Sequence, residues 1–189
     1  MYKLCKTEQS AQRQRQLELG LQKAMLTQQY ELISVSDLCE RLLVPRKSFY
    51  RYFSSKEGAL FALIDHTLME FVQMPAGGNK AKNGTAFYDL EQFFSFWKEK
   101  QDFLEALQRS RLSGLLVERA TSHALNERAM PGFLQNEPEE FQRTAMTFVV
   151  CGLISMVLDW HHNSYDHTPA EMAHMAAKLL SMPLITSYR

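Results

Sequence analysis

Glycine and proline together supply only 14 of the 189 residues, about 7% where roughly 12% is usual. A β-sandwich or barrel needs many tight turns, and this chain has little of the residue chemistry that makes them. The apolar residues lean the same way. Leucine and methionine number 35 against 11 for valine and isoleucine, and unbranched side chains lose less rotamer freedom in a helix than β-branched ones do. The expectation is an all-α fold. A chain of this size and 46% apolar content buries a core of its own.

Three cysteines, Cys5, Cys39 and Cys151, are odd in number and far apart, so no disulfide framework is expected and a cytoplasmic location is the natural one. The first 15 residues lack the apolar core of a signal peptide. The longest apolar run, 145–158, falls short of the about 20 residues a membrane span needs, so no membrane partner is expected. Net charge is zero, but residues 1–57 hold 10 Lys+Arg against 6 Asp+Glu while the remainder holds 11 against 15. A basic leading part that meets a polyanion would carry such an asymmetry.

Periodicity and capping patterns divide the chain into nine helices. The first is expected over about 7–29, with Leu17, Leu21, Ala24 and Met25 on one face. Ser34 followed by Asp37 opens a second helix carrying Val35, Leu38 and Leu42. Pro45 then starts a third, 46–53, and Ser54 with Glu57 opens a longer fourth with the stripe Leu60, Phe61, Ile64, Leu68, Phe71 and Val72. The stretch 76–84, rich in Gly, Lys and Asn, reads as a connector. Further helices are expected at about 87–98, 102–109, 112–126, 139–162 and 169–180, the last capped by Thr168, Pro169 and Glu171.

Arg46, Lys47, Ser48, Tyr50, Arg51 and Tyr52 crowd hydrogen-bond donors onto one short helix, and Lys56 lies in the first turn of the next. A short helix of this kind, braced by a preceding helix across a tight turn, is the arrangement that enters the DNA major groove. The residue order adds to the charge. The runs Ser34-Val35-Ser36-Asp37-Leu38-Cys39, Ser48-Phe49-Tyr50-Arg51-Tyr52-Phe53 and Lys56-Glu57-Gly58-Ala59-Leu60 resemble the tetracycline-repressor (TetR) family. Two positions depart from its pattern: Leu43-Val44-Pro45 stands where a Gly-Val-Ser turn is usual, and Lys47 where a small residue is common.

The resemblance implies a two-domain regulator: a helix-turn-helix head over 1–56, a fourth helix at 55–74 as connector, and an effector-binding and dimerisation domain over 75–189. By resemblance Tyr50 and Lys56 align with phosphate contacts and Ser34 binds backbone through its helix terminus. Pro45 lies at the start of the recognition helix, and Arg46, Lys47, Arg51 and Tyr52 are the candidates for reading bases. Phe49 and Phe53, four apart, are assigned to the core.

The run from Ala145 to Leu158 is apolar almost all round, so one side is expected to face its own core and the other a second copy of the chain. Val150, Ile154, Val157, Met172, Met175 and Leu179 are the candidate interface residues, and Gly152 would let helices approach closely. Phe94, Trp97, Leu104, Leu107 and Phe148 are the candidate effector-pocket lining, which leans toward a hydrophobic or aromatic ligand. His161, His162 and His167 do not form a coordination set by spacing, and neither metal nor cofactor is expected. The function expected is a ligand-responsive regulator of double-stranded operator DNA, a homodimeric repressor released by an effector. The alternatives are a helical ligand carrier, an enzyme, or a protein-binding adaptor of the same fold that does not bind DNA.

Overall fold

A computed structural model of the protein describes residues 1–74, 90–126, 134 and 136–181. The described residues form nine α-helices and no strand: α1 (Glu8–Met25), α2 (Val35–Arg41), α3 (Arg46–Tyr52), α4 (Lys56–Val72), α5 (Leu90–Glu99), α6 (Gln101–Arg109), α7 (Ser113–Asn126), α8 (Glu139–His162) and α9 (Pro169–Ser181). The expected connector at 76–84 and the first turn of the helix expected from 87 lie outside the described residues.

Local chemistry accounts for most helix ends. Thr7 caps α1, its hydroxyl accepting from the Ser10 amide, and Ser34 caps α2 by accepting from Asp37. At α9 the reciprocal box forms in full: the Glu171 amide donates to the Thr168 hydroxyl, and the Thr168 amide donates to the Glu171 carboxylate at 2.7 Å. That bond holds the Glu171 carboxyl below its ordinary range. Two expectations shift. Helix α1 stops at Met25 rather than near 29, where the Thr27 hydroxyl takes the Ala24 carbonyl and a 3-10 turn at Tyr30–Leu32 follows. Ser55, not Ser54, caps α4 by accepting from the Gly58 amide, because the Ser54 hydroxyl is bonded to the Met1 carbonyl.

Three helices end in the same way without glycine. After α2, α6 and α8, respectively, Leu43, Arg111 and Ser164 take φ of 55°, 56° and 57°. In each case the next amide reaches back five residues: Val44 to Cys39, Leu112 to Leu107 and Tyr165 to Trp160. These are Schellman endings, which satisfy carbonyls left open at a helix end and for which glycine is the usual residue.

The chain divides into two compact units, Met1–Val72 with Asp102–Arg119, and Gln73–Gln101 with Ala120–Arg189. The first unit therefore takes in α6 and the start of α7. Within it α1 packs on α4, and α2 lies against both α1 and α3. Gly20 allows the approach of α2, since a Cβ there would stand 2.5 Å from a Leu42 methyl. Phe49 and Phe53 are buried as expected, together with Leu21, Met25, Leu38 and Leu60. A buried carboxylate on α1, Glu18, is paired with Arg15 at 3.1 Å and with His66 of α4 at 3.0 Å. Asp65, 2% exposed, is held by the guanidinium of Arg119.

In the second unit α5 packs on α9 and α8. Phe94 meets Trp160 edge-on at 5.8 Å, and the Trp160 indole donates to the His167 carbonyl at 3.1 Å. Helix α8 spans 24 residues and by length and composition alone is long and apolar enough to cross a membrane. Only Ile154, Val157 and Trp160 of this helix are buried within the chain. Its outward side runs Phe141, Thr144, Phe148, Gly152, Ser155 and Asp159 at helical spacing, with Phe141 and Phe148 exposed by 52% and 60%. The expectation that α8 is covered on one side by its own core holds, and its other side is open.

Candidate nucleic-acid interface

Helices α2 and α3 meet across Leu42–Pro45. Leu43 sits in the left-handed region of backbone space and is 93% exposed, so the turn takes the shape a glycine would favour while carrying a leucine. Pro45 then has φ −61° and ψ 141° and offers no side-chain cap; its carbonyl accepts from the Ser48 amide at 2.8 Å. The departure from a Gly-Val-Ser turn thus leaves the helix-turn-helix connection intact.

Helix α3 has two faces. Phe49, Tyr52 and the following Phe53 are buried, with the Phe49 and Phe53 rings 5.1 Å apart. Pro45, Arg46, Lys47, Tyr50 and Arg51 are exposed, Ser48 is half-buried, and the Arg46 guanidinium lies 6.0 Å from the Tyr50 ring centre. Ser34 is exposed at the start of α2. Of the residues singled out from the sequence, Arg46, Lys47, Tyr50 and Arg51 are exposed together on one positively charged side of α3.

Two are not. Tyr52 is 6% exposed and faces the core, so its ring cannot reach a base from this position. Although Tyr52 directly follows the exposed Arg51, the seven-residue helix turns it inward with Phe49. Lys56 is the second. Its ammonium donates to the carbonyls of Tyr30 and Ile33, each at 2.7 Å, and of Glu31 at 3.3 Å, with Nζ 4.2 Å from the Tyr30 ring centre. Ammonium has three protons, and all three have partners inside the protein. Desolvation lowers the lysine's pKa from its ordinary value and pushes the Tyr30 phenol up to about 12. Lys56 therefore ties the start of α4 to the turn that precedes α2. No local pattern signals this, since the carbonyls lie 23 to 26 residues away.

The other candidate residues fall as follows. Phe94 and Trp97 are buried in the second unit, Leu104 and Leu107 are buried in the first, and Phe148 is 60% exposed. A depression of about 420 Å³ in the second unit is bordered by His167, Ala170, Glu171, His174 and Met175. Among the interface candidates, Ile154, Val157 and Met172 are buried within the chain, Val150 and Met175 are half-buried, and Leu179 is 44% exposed. Among the described residues no group of three metal-ligating side chains gathers.

An all-helical chain that mounts a short cationic helix on a braced turn, ahead of a longer helical region, has the build of a helix-turn-helix regulator. Residues 85–182, more than half of the chain, match a TetR-type family described as "Transcriptional regulator C-terminal region", and the chain belongs to this family of transcriptional regulators. Its members are regulators rather than enzymes.

Several solved structures share the fold. The dihydroxyacetone kinase operon activator DhaS is 14% identical, with 89% of this chain and 93% of that chain covered and a TM-score of 0.59. The fatty acid degradation regulator FadR from Bacillus halodurans is 17% identical, with 91% and 96% covered and a TM-score of 0.55. The TetR family repressor AlkX from a Dietzia species, implicated in biodegradation of n-alkanes, is 16% identical, with 88% and 92% covered and a TM-score of 0.51. At these identities the likeness is one of fold. No curated protein sequence matches the chain.

Proposed function

We propose that this chain is a homodimeric repressor that reads operator DNA through α3 in the cytoplasm and is released by a small hydrophobic or aromatic effector. The observation that carries the DNA reading is the outward face of α3, where Arg46, Lys47, Tyr50 and Arg51 are exposed while the aromatic residues between them anchor the helix. Arg46 and Lys47, in the first turn, are the residues for base edges; Tyr50, Ser48 and the Ser34 end of α2 contact phosphate. Fluorescence anisotropy with the DNA upstream of the protein's own coding region tests this. Arg46→Ala or Lys47→Ala is expected to cost about 1–3 kcal/mol and to relax preference at particular base pairs. Unchanged affinity in both variants would remove α3 from the interface.

The dimer reading is supported by the open side of α8, where Phe148 and Gly152 present a large apolar ring beside a position with no heavy atom within 4 Å of a built Cβ. With Phe141 above and Leu179 and Leu180 exposed on α9, a second copy would cover a surface that water otherwise meets. Two heads on one axis read a palindrome. The effector part is supported more thinly, by the aromatic density of α5 and by neighbours whose names concern fatty acids and n-alkanes. Any effector that releases DNA must bind the DNA-incompetent conformation more tightly, and the ratio of its two affinities bounds the release.

A further inference from the structure

The first residues of the chain run beside the end of the recognition helix and are held there by backbone bonds. Tyr2 and Phe53 form an isolated antiparallel bridge. The Lys3 amide donates to the Tyr52 carbonyl at 3.0 Å, and the Ser54 amide and hydroxyl donate to the Met1 carbonyl at 3.1 and 2.8 Å. Gly58 permits this approach, because a Cβ there would stand 2.5 Å from the Met1 oxygen.

The Tyr2 side chain turns inward. Its phenol donates to Asp65 at 2.7 Å, and its ring meets His66 edge-on with centres 5.5 Å apart. Burial and the Asp65 carboxylate push the phenol's pKa well above its ordinary value, so the proton stays on the tyrosine as donor. Arg119 holds the same carboxylate, which fixes the acceptor from the other side. Successive side chains in an extended segment point to opposite faces. Lys3 accordingly points away from Asp65, is exposed, and has no ion-pair partner among the described residues. Its backbone is bonded to Tyr52, the residue after Arg51. Two cations, Lys3 and Arg51, thus stand at the same end of α3.

We propose that Lys3 is a phosphate contact of the DNA-bound protein, held in place by Tyr2, so that the interface is formed by α3 together with the segment that runs along its end. The inference rests on the DNA reading of α3 and extends it to residues that no helix-turn-helix pattern contains. An untethered leading segment would lose conformational freedom on binding, whereas here the backbone bonds have already ordered it on folding.

The test measures binding of the full chain to a fluorescein-labelled mixed-sequence duplex across a salt series, since phosphate contacts do not depend on base sequence. Each lysine removed from a phosphate lowers the slope of log affinity against log salt by about 0.9, and at 0.15 M salt weakens binding roughly fivefold per bound subunit. Lys3→Gln is expected to show this, Lys3→Arg to retain the wild-type slope, and Lys178→Gln on α9 to leave it unchanged. Thermal unfolding of Lys3→Gln should match wild type, because the side chain is exposed. An unchanged slope in Lys3→Gln overturns the proposal while the DNA reading stands. So does a loss equal at all salt concentrations and accompanied by a lower Tm, which marks a structural role. Absence of salt-dependent binding by the wild type overturns the DNA reading itself, and the proposal with it.

Discussion

Removal of the Lys56 ammonium separates two physically different roles for this residue. Lys56→Met keeps the aliphatic stem against Tyr30 and deletes the donor that bonds the Tyr30, Ile33 and Glu31 carbonyls. Two of those bonds are 2.7 Å long, and hydrogen bonds to charged groups contribute about 1.5–3 kcal/mol each before solvent access is considered. Lys56 is half-buried rather than enclosed, and water replaces part of what the carbonyls lose. A net cost of about 1.5–3 kcal/mol for the whole substitution is therefore the expectation. For a chain of this length each kcal/mol moves Tm by about 2–4 °C, so the midpoint should fall by roughly 3–12 °C. Thermal unfolding followed by circular dichroism, alongside the salt series of DNA binding, checks it. If Lys56 binds phosphate instead, the salt slope falls by about one with Tm unmoved. That result would refute the capping argument and restore the role expected from the sequence.

Leu43→Gly should stabilise the protein by about 0.5–1 kcal/mol, the relief of a left-handed leucine less the added freedom of glycine in the unfolded chain; a lower denaturation midpoint would show that the turn is not strained. Phe148→Lys should yield monomers in sedimentation velocity at micromolar concentration with the subunit's helicity retained, because the ring is exposed within its own chain, and a dimer unchanged by this variant would place the interface elsewhere. Glu171 has a folded-state pKa below its ordinary value of 4.5, so its contribution is fully present above that value and is lost as pH falls through the folded one. Tm measured between neutral and acidic pH should fall less steeply in Glu171→Gln across that window, and identical curves would mean the capping box contributes nothing measurable.

Much of the fold is legible residue by residue because its causes are local. The scarcity of glycine and proline, the i, i+3 and i+4 apolar stripes, and the caps at Thr7, Ser34 and Thr168 all act within about four residues, and they place the nine helices to within a turn or so. The donor-rich sequence of α3 is legible for the same reason. What the chain's own order leaves open is which partner arrives from a distance. Lys56 looks like a free cation until the Tyr30–Ile33 carbonyls come within 2.7 Å of it, and Ser54 looks like a cap until the Met1 carbonyl takes its hydroxyl. Tyr52 turns to the core because the helix it ends lies against others, and Ile154, Val157 and Met172 do the same in the second unit. Leu43, Arg111 and Ser164 accept left-handed backbone because five-residue return bonds close their helices there, a geometry that residue preference alone argues against. The helices follow from periodicity and caps, both short-range; the free or committed state of each polar group depends on packing between segments, which tertiary structure alone decides.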